Sequence, residues 1–190
     1  MVVVTGTIEK MPKDSLDTRS DSEIVREILN TRPGEFRALF QRYYPMVCNI
    51  VWNFFRDEEL TPDLCQEVFF RVFKGLPSLK DPSKFKAWLA QIARNVCINF
   101  SALNKQKEYR EVSIVDDEEW TSHREGWPEI KHHSVEELLS ELSAKDRLIV
   151  YLKYVEELSY LEISLITEDS EVIIRKRASR AMQFLRGKLG

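Results

Sequence analysis

Residues 84–100 read KFKAWLAQIARNVCINF. At about 100° per residue, Phe85, Leu89, Ile92 and Val96 fall in one narrow sector, the apolar stripe of a helix that faces a core. Trp88, Asn95 and Asn99 line one flank of that stripe, with Gln91 and Lys84 beside them and Arg94 pointing away from the core. The flank admits two readings. A flat aromatic among amides and cations suits unstacked bases, each stacked base being worth about 1–3 kcal/mol. Alternatively, Trp88 widens the apolar stripe and the amides are merely solvated.

The sequence on either side is helical in pattern. SDSEIVREILN (20–30) reads as a short helix capped by Asp21 or Ser22 and stopped by Arg32-Pro33-Gly34. From Glu35, Phe36, Leu39, Phe40, Tyr43, Val47, Ile50, Val51 and Phe54 recur at three- and four-residue steps, with a kink or break expected at Pro45. Thr61-Pro62-Asp63 offers an N-cap, a first-turn proline and an acidic first turn. The helix it opens runs to about Lys74, with Leu64, Cys65, Val68, Val72 and Phe73 inward. The loop LPSLKDPS then leads to Ser83 as the expected N-cap of the 84–100 helix.

Beyond residue 100 the character changes. Residues 101–133 are polar and acidic, with Gly126 and Pro128, and read as a linker. Ser134 with Glu137, Ser143 with Asp146, and Ser159 with Glu162 then mark three helix starts, and Ser170 a fourth whose helix reaches about Lys188. No stretch alternates with period two, so the fold class is all-α: two small helical domains joined by a flexible linker. The boundaries expected are a mobile tail at 1–20, a first domain at 21–100, the linker at 101–133 and a second domain at 134–190.

The chain of 190 residues carries a net charge of −3, yet charge is sorted along it. The closing stretch IIRKRASRAMQFLRGKLG has six basic residues and no acidic one. LSYLEISLI joined by TEDS to that basic helix has helix-turn-helix spacing. Ile174, Ala178, Ala181 and Leu185 face inward on it. Val172, Lys176, Ser179 and Arg180 face outward, and Arg175 and Arg177 lie on the flanks. Such a face fits a DNA major groove, where Arg and Lys reach guanine edges or phosphate and Val172 or Ile173 a thymine methyl. It is equally a solvated basic face favoured by the helix dipole.

Other chemistries find little support. The longest apolar runs fall short of a membrane span, and MVVVTGTIEK has no signal-peptide pattern. The three cysteines, Cys48, Cys65 and Cys97, have no CxxC spacing and read as buried reduced thiols. Glu129 and His132 make one E-x-x-H, where a di-iron bundle needs two. No phosphate loop, zinc motif or catalytic triad order appears, so neither an enzyme, a cofactor nor a metal site is expected.

FRALFQRYYPMVCNIV (36–51), DLCQEVFFRVFKGL (63–76), FKAWLAQIARNVCINF (85–100) and LSAKDRLIVYLKYVEELSYLEISLI (142–166), followed by Arg175-Lys176-Arg177 and Ala181, resemble in order and spacing the extracytoplasmic-function (ECF) group of bacterial sigma factors. The resemblance implies a sigma region 2 bundle and a sigma region 4 helix-turn-helix in a cytoplasmic initiation factor. It implies that Asp63, Gln66, Glu67 and Arg71 dock on the clamp helices of the RNA polymerase core, with a further contact to its flap. Lys80, Ser83, Lys84, Trp88, Gln91, Arg94, Asn95 and Asn99 would engage the −10 promoter element, flipping a base out of the duplex. Val172, Arg175, Lys176, Arg177, Ser179 and Arg180 would engage the −35 element. An anti-sigma factor is the regulatory partner it implies. The chain departs from the family pattern at Glu168-Asp169, where glycine and an apolar residue are usual, so a DNA-facing Asp169 would repel phosphate. It also departs at Glu171-Val172-Ile173, where small residues are common, and at Asn99, where Asp is frequent. The rival reading is a helix-turn-helix regulator that binds duplex DNA without docking on polymerase.

Overall fold

The protein is described here by a computed structural model covering residues 17–30, 32–111 and 139–189. These residues form seven α-helices and no strand. In chain order they are α1 (Asp21–Leu29), α2 (Phe36–Phe55), α3 (Leu60–Gly75), α4 (Phe85–Glu111), α5 (Ala144–Tyr154), α6 (Tyr160–Thr167) and α7 (Glu171–Leu189).

The first unit is built by α1 to α4. Ser20, one residue earlier than expected, caps α1: its hydroxyl accepts from the Glu23 amide while the Glu23 carboxylate accepts from the Ser20 amide. Residues 17–20 are not a loose tail. The Arg19 guanidinium pairs with Asp17, Glu27 and Glu35, and Arg42 donates to Asp21 and to the carbonyls of Asp17 and Arg19. Arg19 also holds the Asp17 carboxyl down at about 2.

Helix α2 is not broken at Pro45, which is exposed and costs the helix one backbone hydrogen bond, since proline has no N–H to donate. Its C-terminus is closed by Arg56 in the left-handed conformation, φ 51°. The start of α3 is fixed by Asp57, not by Thr61: the Asp57 carboxylate accepts from the amides of Glu59 and Leu60, and the Thr61 hydroxyl donates to the Asp57 carbonyl. Phe69 is buried in place of Phe73, which is exposed. A carboxylate again wins at the next helix start. Asp81 accepts from the Ser83 amide and hydroxyl, a 3-10 turn follows over Pro82–Lys84, and α4 begins at Phe85. It then runs to Glu111, well into the segment expected to be linker.

The second unit is α5 to α7. Ser143, Ser159 and Ser170 cap as their spacing predicts. The helix expected from Ser134 lies mostly outside the described residues, as do residues 1–16, Glu129 and His132. Among the described residues no group of His, Cys, Asp and Glu could hold a metal, and no helix is long and apolar enough to cross a membrane.

One core joins both units. Leu39, Val47, Ile50, Val68, Val72, Phe85 and Leu89 are continuous with Ile149, Leu152, Ile163, Ile166 and Ile174. Each such side chain contributes about 1.5–3 kcal/mol by leaving water. Arg147 is a polar rivet at this junction. Its guanidinium donates to the carbonyls of Leu139, Ser140 and Leu142 on its own side, and to Asn53 of α2 across the junction. Burial draws its pKa down to about 10. Arg147→Ala should cost about 1.5–3 kcal/mol, the scale for hydrogen bonds from a charged donor, read as a lower urea midpoint, with Arg147→Lys recovering part of the loss.

Candidate nucleic-acid interface

Helix α4 turns one side to the first unit and the opposite side to α6. Phe85, Leu89, Ala90, Ala93, Val96 and Cys97 are buried, with Ile92 partly so. Trp88 is also partly buried. Its ring lies 6.1 Å from Phe85 at 50° and against the last residue of α3, where a Cβ on Gly75 would stand 3.2 Å from Cζ2. The glycine is therefore what allows the indole to lie down on α3, so part of Trp88 packs, as a widened apolar stripe requires, and its remaining surface reaches solvent.

The rest of the flank is engaged with the second unit. Gln91 donates to the Leu165 carbonyl at 3.4 Å. Arg94 donates to Glu168 at 2.8 Å, to the Thr167 carbonyl at 3.3 Å and to Asn95 at 3.2 Å. It points away from the core of the first unit, but its side chain is only 15% exposed because it lies against the second. The cause is local: the C-terminus of α6 presents unpaired carbonyls, and a guanidinium is the donor that fits them. Lys86, which sequence reasoning passed over, pairs with Glu156 at 2.8 Å and also donates to the Glu156 carbonyl. Lys84 lies 3.9 Å from Glu162 and is exposed, as are Lys80, Ser83 and Asn99, while Asn95 is partly buried.

On α7, Ile174, Ala178, Ala181 and Leu185 are buried, as the periodicity predicts. Val172, Lys176, Ser179 and Arg180 are exposed on the outer face, with Ile173 beside them. The flanking arginines are partly committed. Arg175 pairs with Glu171 and lies over the Tyr160 ring at 4.6 Å; Arg177 donates to Asp146 at 2.8 Å.

The turn before α7 resolves the expectation about Glu168 and Asp169. Glu168 adopts the left-handed conformation, φ 60°, that glycine would take without penalty, at a cost of about 1–2 kcal/mol. The Asp169 carboxylate is turned to Lys145 of α5 and pairs with it at 2.6 Å, so its charge is partnered within the protein.

The third surface is the outer face of α3. Asp63, Gln66 and Arg71 are exposed and Glu67 partly so, with Arg71 donating to Glu67 at 2.6 Å. Phe70 and Phe73 are exposed beside them, 52% and 45%, and Lys74 sits over the Phe70 ring at 4.2 Å. Sequence reasoning missed this apolar component, although Phe70 follows Gln66 by four residues and Glu67 by three, the spacing of one helix face.

Comparison with known proteins matches these surfaces to a family. Residues 39–107 match Sigma-70 region 2, and residues 132–185 match Sigma-70 region 4. The ECF RNA polymerase sigma factor SigM of Bacillus subtilis is 33% identical over 153 residues, covering 78% of this chain and 91% of that protein. The chain belongs to the ECF sigma factor family. It therefore acts in transcription initiation, is not an enzyme, and carries its DNA-binding helix-turn-helix in region 4. The ECF sigma-E factor of Escherichia coli is 24% identical over 185 residues, covering 90% of this chain and 94% of that one. The fold of this sigma factor is shared with RpoE from Bartonella quintana, solved in complex with the anti-sigma factor NepR. That match has a TM-score of 0.62 and 23% identity, and covers 82% of this chain and 96% of that one. It is shared also with CnrH, solved with the cytosolic domain of CnrY, at TM-score 0.62 and 18% identity, covering 89% and 96%.

The contacts between α4 and region 4 differ in weight. Glu168→Gln removes a pair whose carboxylate is largely solvated, and should shift stability by no more than about 1 kcal/mol. Glu156 is buried more deeply and accepts from the Tyr151 hydroxyl as well as Lys86. Glu156→Ala should cost about 1–3 kcal/mol, since two donors lose their acceptor. Urea unfolding of both variants checks the ranking.

Proposed function

We propose that this sigma factor docks on the RNA polymerase core through the outer face of α3, reads the −35 element with α7 and opens the −10 duplex along the flank of α4. The observation that carries the reading is the collinear set of three polar faces on one chain: Asp63, Gln66, Glu67 and Arg71 with Phe70 on α3; Trp88, Gln91, Arg94, Asn95 and Asn99 on α4 with Lys80, Ser83 and Lys84 before it, Gln91 and Arg94 being turned onto the second unit; Val172, Lys176, Ser179 and Arg180 on α7, flanked by Arg175 and Arg177. Its place of work is the cytoplasm, with the polymerase.

Each face suits its task. The mixed apolar and charged face of α3 suits protein rather than DNA, because two aromatic rings stand among residues of both signs. The cations of α7 suit phosphate and guanine edges in the major groove. The exposed part of Trp88 offers a stacking surface to a base turned out of the duplex, which offsets an unstacking cost of a few kcal/mol.

DNA at the α4 flank must take the place of α6. Arg94 then exchanges the Glu168 carboxylate and the Thr167 carbonyl for phosphate, and Gln91 gives up the Leu165 carbonyl. An anti-sigma factor that stabilises the closed pairing of the two units would oppose this exchange. The anti-sigma complexes formed by the structural neighbours RpoE and CnrH with NepR and CnrY motivate that part of the reading.

Run-off transcription with purified core polymerase, followed by mapping of start sites, tests the proposal. The chain should direct the core to discrete start sites; binding to duplex DNA without programming the core would overturn it. Trp88→Ala should lower permanganate reactivity of −10 thymines while sparing closed-complex formation. Lys176→Ala with Arg180→Ala should weaken upstream contact and leave affinity for the core intact. Loss of core affinity in that double variant would contradict the assignment of α7.

A further inference from the structure

Two of the cysteines are not isolated. Cys48 on α2 and Cys65 on α3 face each other with their Sγ atoms 3.3 Å apart, the Cys65 thiol donating to Cys48. Both are free thiols. They differ in access: Cys48 is partly exposed, whereas Cys65 is fully buried. A donor to sulfur favours its anion, so Cys48 is drawn below the ordinary thiol value, first by the Cys65 hydrogen bond and less by Tyr44 one helical turn earlier, against the opposing effect of burial. Cys65, as the donor, is pushed up. Cys97 makes the contrast: it is fully buried on α4, and burial holds its thiol up at about 12.

A partly exposed cysteine whose thiol is drawn down, with a second thiol behind it at contact distance, is the arrangement required of an attacking and a resolving cysteine. Neither docking on polymerase nor reading DNA uses it. We propose that Cys48 and Cys65 form a hydroperoxide-reactive dithiol, with Cys48 attacking and Cys65 resolving to an intramolecular disulfide between α2 and α3.

The steps balance. The Cys48 thiolate attacks one oxygen of the hydroperoxide; an S–O bond forms, the O–O bond breaks, and the leaving oxygen takes a proton to depart as water or an alcohol. The Cys65 sulfur then attacks the sulfur of the resulting sulfenic acid. An S–S bond forms, the S–O bond breaks, and hydroxide leaves with the Cys65 proton as water. Two thiols are oxidised and one hydroperoxide is reduced. Closing from 3.3 Å to the disulfide length of about 2.05 Å needs an approach of about an ångström, within reach of side-chain rotation on two packed helices. The bridge would tie α2 to the helix that carries Asp63, Gln66 and Glu67.

The test is to expose the folded full-length chain to hydrogen peroxide, quench it, unfold it and alkylate. The expected loss is from three alkylatable thiols to one, with the Cys48 and Cys65 peptides joined in a non-reducing digest and released by dithiothreitol. Cys48→Ser should abolish the thiol loss, and Cys65→Ala should leave Cys48 as a sulfenic acid trapped by dimedone. Retention of all three thiols, oxidation of Cys97 in preference, or a bridge between two chains would overturn the proposal. Should Cys65→Ala not fold, the wild-type digest and the Cys48→Ser chain decide the matter. Transcription plays no part in these readouts, so they stand apart from the functional reading.

Discussion

The structure depends on one helix packed from both sides. Phe85, Leu89, Val96 and Cys97 of α4 close the core of region 2, while Lys86, Gln91 and Arg94 on its other side hold region 4. Buried apolar residues on one side fix the rotation of the helix about its axis. That rotation decides which polar residues meet the C-terminus of α6. Removing the apolar stripe would therefore disorganise the interdomain contacts as well as the core, because the polar contacts inherit their geometry from it.

The two kinds of contact have different strengths, and the difference suits the function. The core side is dry and non-directional, contributing about 1.5–3 kcal/mol for each fully buried large aliphatic side chain. The α6 side continues the apolar core through Ile163 and Ile166 and rims it with ion pairs and carbonyl contacts open in part to water, where such pairs contribute about 0–1 kcal/mol. A partner that presents phosphates competes with this polar rim, and parting α6 from α4 also exposes the apolar side chains beneath it. The same cations thus serve a closed pairing of the two units and an open one on DNA. Glu168 is the hinge of this economy: it takes a backbone conformation that glycine adopts more easily, and its carboxylate returns part of the cost through Arg94.

Much of this was legible in the residues. The core faces of α4 and α7 follow from periodicity alone, because an apolar stripe of the right width leaves no other rotation. Three serine caps in region 4 were readable for the same kind of reason: the hydroxyl and its amide lie in one short segment. Capping was misread where a carboxylate outcompeted a hydroxyl, at Asp57 over Thr61 and at Asp81 over Ser83. Phe69 and Phe73 share one face four residues apart, and which is buried is decided by the neighbour: Phe69 lies among Phe36, Phe40 and Tyr44 of α2, Phe73 against Phe36. What no pattern in one segment could show was the company kept across segments. Arg94 with Glu168, Asp169 with Lys145, and Cys48 with Cys65 are each set by tertiary packing between helices that the sequence separates.

The measurement that bears most directly on the two-sided role of α4 is the distance between it and α7 in the free and the assembled protein. Bio-orthogonal spin labels at Ala102 and Gln183, both exposed, read it by pulsed electron spin resonance. The account predicts one short, narrow distance distribution in the free chain, replaced by a longer one when core polymerase and promoter DNA are bound. An unchanged distribution in the promoter complex would contradict it, since the flank of α4 would then still be covered by α6.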